Sequence, residues 1–203
     1  FGQSGEPPAA WGVDDYGDFV LKFMASLGIS RVILIGHSFG GRIIIKLAAR
    51  RELPVRITKI VLVNSAGIRP RKTVRQKARL LLYRGVKGIL SVGGLKNRFP
   101  GLLAGWRKRH GSPDYLRASP RMRECLIRVI NEDLTPCLPR IPCPALLIWG
   151  AEDQETPLGD GKLMERLIPG AGLVTLEKAG HYSFLDEPFI FGRVLDSFLH
   201  IQR

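Results

Sequence analysis

The 203-residue chain is 45% hydrophobic and 24% charged, with a mean hydropathy of +0.03, the balance of a folded unit with enough apolar material for a core. Disordered, fibrous and integral membrane classes are excluded, since the longest apolar runs, such as residues 32–35 and 145–149, fall far short of the roughly 20 residues that cross a bilayer. A formal charge of +13 would favour an anionic partner, but sixteen Lys/Arg against the single acid Asp114 lie between Arg69 and Arg123, and the rest of the chain is near neutral.

Residues 1–8 are turn chemistry, Phe-Gly-Gln-Ser-Gly-Glu-Pro-Pro. Residues 13–27 then place Phe19, Val20, Phe23, Met24 and Leu27 at the i, i+3, i+4 spacing of an amphipathic helix, with Asp14 and Asp15 at its start and Gly28 at its C-cap. The β-branched run at 31–35 predicts a strand buried on both faces, and so a sheet covered by helices on both sides. Residues 42–51 return to helical spacing through Ile43, Ile44, Leu47 and Ala48, and 59–63 form a second such strand. Between residues 68 and 140 no strand-like run occurs. That stretch holds the basic excess, helical patches at 74–86 and 122–130, and a closing set of prolines, Pro136, Pro139, Pro142 and Pro144, so it reads as a helical insertion. The earlier pattern then resumes with a strand at 145–149, a helix at 158–167, a strand at 173–177 and a closing helix at 188–199. The expected fold is α/β, a doubly wound, mostly parallel sheet formed by residues 1–67 and 141–203, with residues 68–140 inserted.

Gly36-His37-Ser38-Phe39-Gly40 is G-x-S-x-G between a strand and a helix, the setting in which this pattern forms a nucleophile elbow. The sharp turn holds Ser38 in strained backbone geometry with its hydroxyl clear of the sheet. Side chains two positions before and two after would collide with neighbouring backbone. The helix N-terminus aims the Phe39 N–H at a developing oxyanion. A serine needs a base, itself oriented by a carboxylate. Of four histidines, His37 sits beside Ser38 with its side chain expected to point elsewhere, His110 lies among basic residues, and His200 is near the chain end. His181 follows a strand, where sites of α/β sheets collect. For the acid, the loop after residues 145–149 offers Glu152, Asp153 and Glu155, with Asp153 slightly favoured. Glu152 and Glu155 fit helix capping or solvent better.

These segments resemble the α/β-hydrolase superfamily. Gly36-His-Ser-Phe-Gly-Gly41 is similar to its elbow, Trp149-Gly-Ala-Glu-Asp153-Gln-Glu-Thr-Pro157 to its acid turn, and Gly180-His181-Tyr-Ser-Phe-Leu-Asp-Glu-Pro188 to its histidine loop, in the family's order of Ser, Asp, His. The resemblance implies Ser38 as nucleophile, His181 as base, Asp153 as its carboxylate and residues 68–140 as a cap. It also implies about four further strands and an H-G-x-G-type oxyanion loop ahead of Phe1, so the chain is expected to be an N-terminally truncated hydrolase, either lacking a portion of several dozen residues or naturally shortened with half an oxyanion hole and an exposed sheet edge; its one visible oxyanion donor is Phe39. The expected activity is cleavage of a small organic ester, thioester or activated carbonyl compound, carbon–carbon bond cleavage included, without metal or organic cofactor. The competing reading is a non-catalytic scaffold whose basic cap binds an acidic partner or anionic surface.

The three cysteines, Cys125, Cys137 and Cys143, lack any C-x-x-C or Cys/His ligand spacing and read as free thiols in a reducing, cytoplasmic setting. No nucleic-acid motif accompanies the charge, so the expected partner is a small-molecule substrate.

Overall fold

The computed structural model describes residues 4–69 and 116–201. The helical patch expected at 74–86, and the basic residues from Arg71 to Arg109, lie outside the described residues. The chain divides into two compact units, residues 1–10 with 70–127, and residues 11–69 with 128–203. In the first, Arg121 donates to the Pro7 carbonyl at 3.2 Å, and buried Cys125 faces the Ala9 carbonyl at 4.0 Å.

The second unit is built on four parallel strands in chain order, β1 (Arg31–His37), β2 (Arg56–Val63), β3 (Ala145–Gly150) and β4 (Gly172–Leu176). Helix α1 (Val13–Ser26) precedes β1, and α2 (Phe39–Ala48) joins β1 to β2. The Asp15 carboxylate accepts the Gly12 N–H at 2.8 Å at the start of α1, and Gly28 closes it at φ 67, a left-handed conformation that glycine adopts without steric cost. Helix α3 (Pro120–Asn131) and a 3₁₀ turn at Thr135–Arg140 lead into β3. Helices α4 (Leu158–Leu167), α5 (Ser183–Asp186) and α6 (Pro188–Leu199) complete the chain.

Alternation along the strands separates two cores. Ile60, Leu62, Leu147 and Trp149 pack with Ile44, Ile45 and Met164 on one face, while Val61, Val63, Leu146 and Ile148 pack with Phe191, Leu195 and Phe198 on the other. Apolar residues at both parities explain why the central strands read as unbroken apolar runs. Lys59 also anchors α6, donating to the Phe198 carbonyl at 2.6 Å and lying 4.9 Å above its ring.

The run at 31–35 has the composition of a strand buried on both faces, and the exposed sheet edge that the resemblance implies lies here: β1 pairs with β2 alone among the described residues, and Ile33 and Ile35 are 40% and 50% exposed. Composition records which side chains can be buried, whereas burial requires a neighbour. Among the described residues no helix is long and apolar enough to cross a membrane.

Candidate active site

All the residues singled out for chemistry follow the carboxyl ends of strands: Ser38 after β1, Asp153 after β3 and His181 after β4. Ser38 has φ 50 and ψ −111, an arrangement that costs a non-glycine residue on the order of 1–3 kcal/mol and persists only when its surroundings hold it. They do so from two sides. The Ser38 N–H donates to the Val63 carbonyl at 3.1 Å, and the Ser38 carbonyl accepts from Gly41 at 3.1 Å and Ala66 at 3.0 Å. Phe39 is the first residue of α2, so its N–H belongs to the helix N-terminus.

The glycines around Ser38 divide differently from the expectation. A Cβ on Gly36 would lie 2.6 Å from Ile44 and 2.7 Å from the Gly40 backbone, and one on Gly41 would collide with the Ser65 hydroxyl. Gly40 has nothing within 4 Å of that position. The close approach therefore occurs at Gly36 and Gly41.

His181 and Asp153 meet directly, Nδ1 lying 2.9 Å from Oδ2, with the histidine side chain only 8% exposed. The acid turn is shaped around this contact. Asp153 Oδ1 accepts the N–H groups of Glu155 at 2.8 Å and Thr156 at 3.0 Å, while Oδ2 also accepts the Thr156 hydroxyl at 2.7 Å and the Asn64 amide at 2.6 Å. Buried Trp149 donates from its indole to the Thr156 carbonyl at 2.7 Å, which fixes the turn against the end of β3. Burial pushes the Asp153 carboxyl up, but the Thr156 hydroxyl, His181, the Thr156 N–H and Asn64 together bring it down to about 2. An ionised Asp153 only accepts, so Nδ1 of His181 donates and, in the neutral ring, Nε2 is left to take a proton.

One arrangement around His181 differs from the sequence reading. The His37 ring does not point away: its Nε2–H donates to the His181 carbonyl at 2.8 Å, and the two ring centres are 4.6 Å apart. Burial holds His37 below its usual range, against the opposing effect of that bond. Glu155, although 71% exposed, brings Oε2 to 3.5 Å from His181 Nε2. Among the described residues no hydrogen bond joins Ser38 Oγ to His181; such bonds commonly tighten only when substrate is bound.

Sequence reasoning also passed over Asn64 and Ser183, both fully buried, and gave Thr156 no role. Each is an ordinary polar residue at the end of an element, and nothing in its local sequence marks it.

The sequence pattern of the alpha/beta hydrolase fold family matches residues 1–188. An uncharacterized protein of Mycobacterium tuberculosis (strain H37Rv) is 26% identical over 223 residues, spanning 98% of this chain and 64% of its own length. The 3-oxoadipate enol-lactonase 2 of Acinetobacter baylyi is 26% identical over 206 residues, with 97% of this chain and 74% of the relative covered. The crystal structure of an enol-lactonase from Burkholderia xenovorans LB400 superposes with a TM-score of 0.69 at 26% identity, over 98% of this chain and 77% of the other. The chain thus spans about two thirds of the length of the mycobacterial relative.

Proposed function

The chain belongs to the alpha/beta hydrolase fold family, and on that footing we propose that it is a serine hydrolase acting on a small ester, thioester or similarly activated carbonyl compound. The observation that carries this reading is the buried contact of His181 Nδ1 with Asp153 Oδ2 at 2.9 Å, on the same sheet end as a serine held at positive φ. In this mechanism the Ser38 oxygen attacks the substrate carbonyl carbon as His181 Nε2 takes its proton. Asp153 stabilises the resulting imidazolium and keeps the ring in the tautomer whose Nε2 is basic. The negative charge formed on the carbonyl oxygen faces the Phe39 N–H at the start of α2, where the helix dipole favours it. Collapse of the adduct transfers the proton from Nε2 to the leaving oxygen or sulfur and leaves an acyl group on Ser38. Water, deprotonated by the same imidazole, then hydrolyses that acyl-enzyme.

Two relatives named as enol-lactonases support a carbonyl substrate of ester type, since a lactone is a cyclic ester. A serine at the elbow suits acyl transfer. The test is hydrolysis of short p-nitrophenyl esters together with labelling by a fluorophosphonate. Ser38→Ala should abolish labelling and lower turnover by several orders of magnitude. Undiminished hydrolysis in that variant would refute the assignment, and labelling confined to another residue would relocate the nucleophile.

A further inference from the structure

We propose that Asn64 is a positioning residue for this site, holding the Asp153 carboxylate opposite His181 and tying the histidine loop to the end of β2. The inference rests on the Ser38, His181 and Asp153 reading above. Asn64 follows β2 with φ 43, a left-handed conformation that asparagine adopts more readily than most residues bearing a side chain, and is fully buried. Its amide nitrogen lies 2.6 Å from Asp153 Oδ2 and 3.2 Å from the Gly180 carbonyl, and its side-chain oxygen lies 2.5 Å from the Ser183 hydroxyl.

These partners determine which way the amide points. An ionised carboxylate and a carbonyl can only accept, so the NH₂ must face them, and Ser183 must then donate to Oδ1. One side chain thereby joins the acid turn, the loop carrying His181 and the helix that follows it. A purely structural Asn64 would need only its backbone. That backbone already donates to the Ile148 carbonyl at 2.9 Å and offers its own carbonyl, 3.0 Å away, as the alternative acceptor for the single Thr156 hydroxyl proton, contacts available to any residue that tolerates positive φ. The side chain spends both N–H groups on the site instead. The other groups around Asp153 are His181 and the Thr156 hydroxyl in direct contact, with Glu155, Asp160 and His37 beyond them.

The test uses Asn64→Gly, which keeps the backbone comfortable and deletes the amide, Asn64→Asp, which keeps the shape and removes the donors, and Ser183→Ala. Each is made in the full chain. Turnover of p-nitrophenyl acetate is followed across the acidic and neutral pH range, alongside the low-field proton NMR signal of His181 Nδ1–H and a thermal melt. Asn64→Gly and Asn64→Asp should lower kcat about 100-fold with KM within about threefold, and Ser183→Ala should act in the same sense by about tenfold. The Nδ1 signal should be lost or moved upfield in both Asn64 variants. A folded Asn64→Gly protein with wild-type kcat and Nδ1 signal overturns the proposal. Wild-type protein without Ser38-dependent turnover would overturn the parent reading instead, and the Nδ1 signal alone then decides whether Asn64 holds the Asp153 and His181 pair.

Discussion

Replacing Asp153 by asparagine changes one atom's chemistry at a point where five donors converge. Oδ1 accepts from two backbone N–H groups, so the new carbonyl oxygen takes that place and the NH₂ falls where Oδ2 was. There it meets the Asn64 amide, the Thr156 hydroxyl and His181 Nδ1, three donors formerly at 2.6, 2.7 and 2.9 Å. Thr156 can adapt, since its hydroxyl also has the Asn64 carbonyl at 3.0 Å to donate to. His181 can adapt only by changing tautomer, which puts the proton on Nε2 and removes the base. Asn64 keeps the Gly180 carbonyl and loses its better acceptor. The balance is about one charge-assisted hydrogen bond lost and others weakened, about 2–4 kcal/mol of stability. The accompanying loss in kcat is about 10⁴, the size that a wrong-tautomer histidine produces in serine proteases. The assay pairs kcat/KM on p-nitrophenyl acetate with thermal unfolding and with ¹⁵N shifts of the His181 ring. The wild type adds a check by pH. A carboxyl held near 2 against an ordinary 3.8 contributes stability that is complete above the unfolded value and disappears as pH falls toward the folded one, about 2 kcal/mol in all, and Asp153→Asn should lack that component. A variant with kcat/KM within tenfold of wild type and an unchanged ring tautomer would refute this assignment of the carboxylate.

Glu155→Gln and Glu152→Gln should each leave turnover of p-nitrophenyl acetate within about threefold, because Glu155 is 71% exposed where it approaches His181 Nε2 at 3.5 Å and an exposed pair contributes little; a loss in either as large as that of Asp153→Asn would move the orienting carboxylate. Gly41→Ala should cost about 1–3 kcal/mol in a thermal melt, since its Cβ would overlap Ser65, whereas Gly40→Ala should be tolerated; equal melting of the two variants would contradict the packing described at the elbow.

The sheet was legible because burial on both faces demands apolar residues at both parities, and 59–63 and 145–149 show that pattern. The helices at 158–167 and 188–199 coincide with their sequence-read limits. The same reasoning gives β1 the composition of a central strand, while the exposure of its Ile33 and Ile35 accords with the open sheet edge that the resemblance implies. Ser38, Asp153 and His181 could be picked out because each lies in a motif with its own turn chemistry. Asn64 could not, since its partners Asp153 and Ser183 are distant in sequence and the contact exists only after the strands align. His37 was misread for a related reason: adjacency to Ser38 says where its backbone lies, while the position of its ring depends on the loop that β4 delivers.

The strand order carries a consequence for how the molecule comes into being. Chain order and spatial order are the same, and Ser38, Asn64, Asp153 and His181 are handed over one by one at successive strand ends. During synthesis, or on refolding from denaturant, the β1–β2 and β3–β4 halves can form from partners close in sequence, but they meet only when β2 pairs with β3, where Ile60 lies against Ala145. In the proposed mechanism, activation of Ser38 therefore waits on that long-range pairing. Until it forms Ser38 has no base, and recovery of fluorophosphonate labelling becomes a clock for the joining of the two halves.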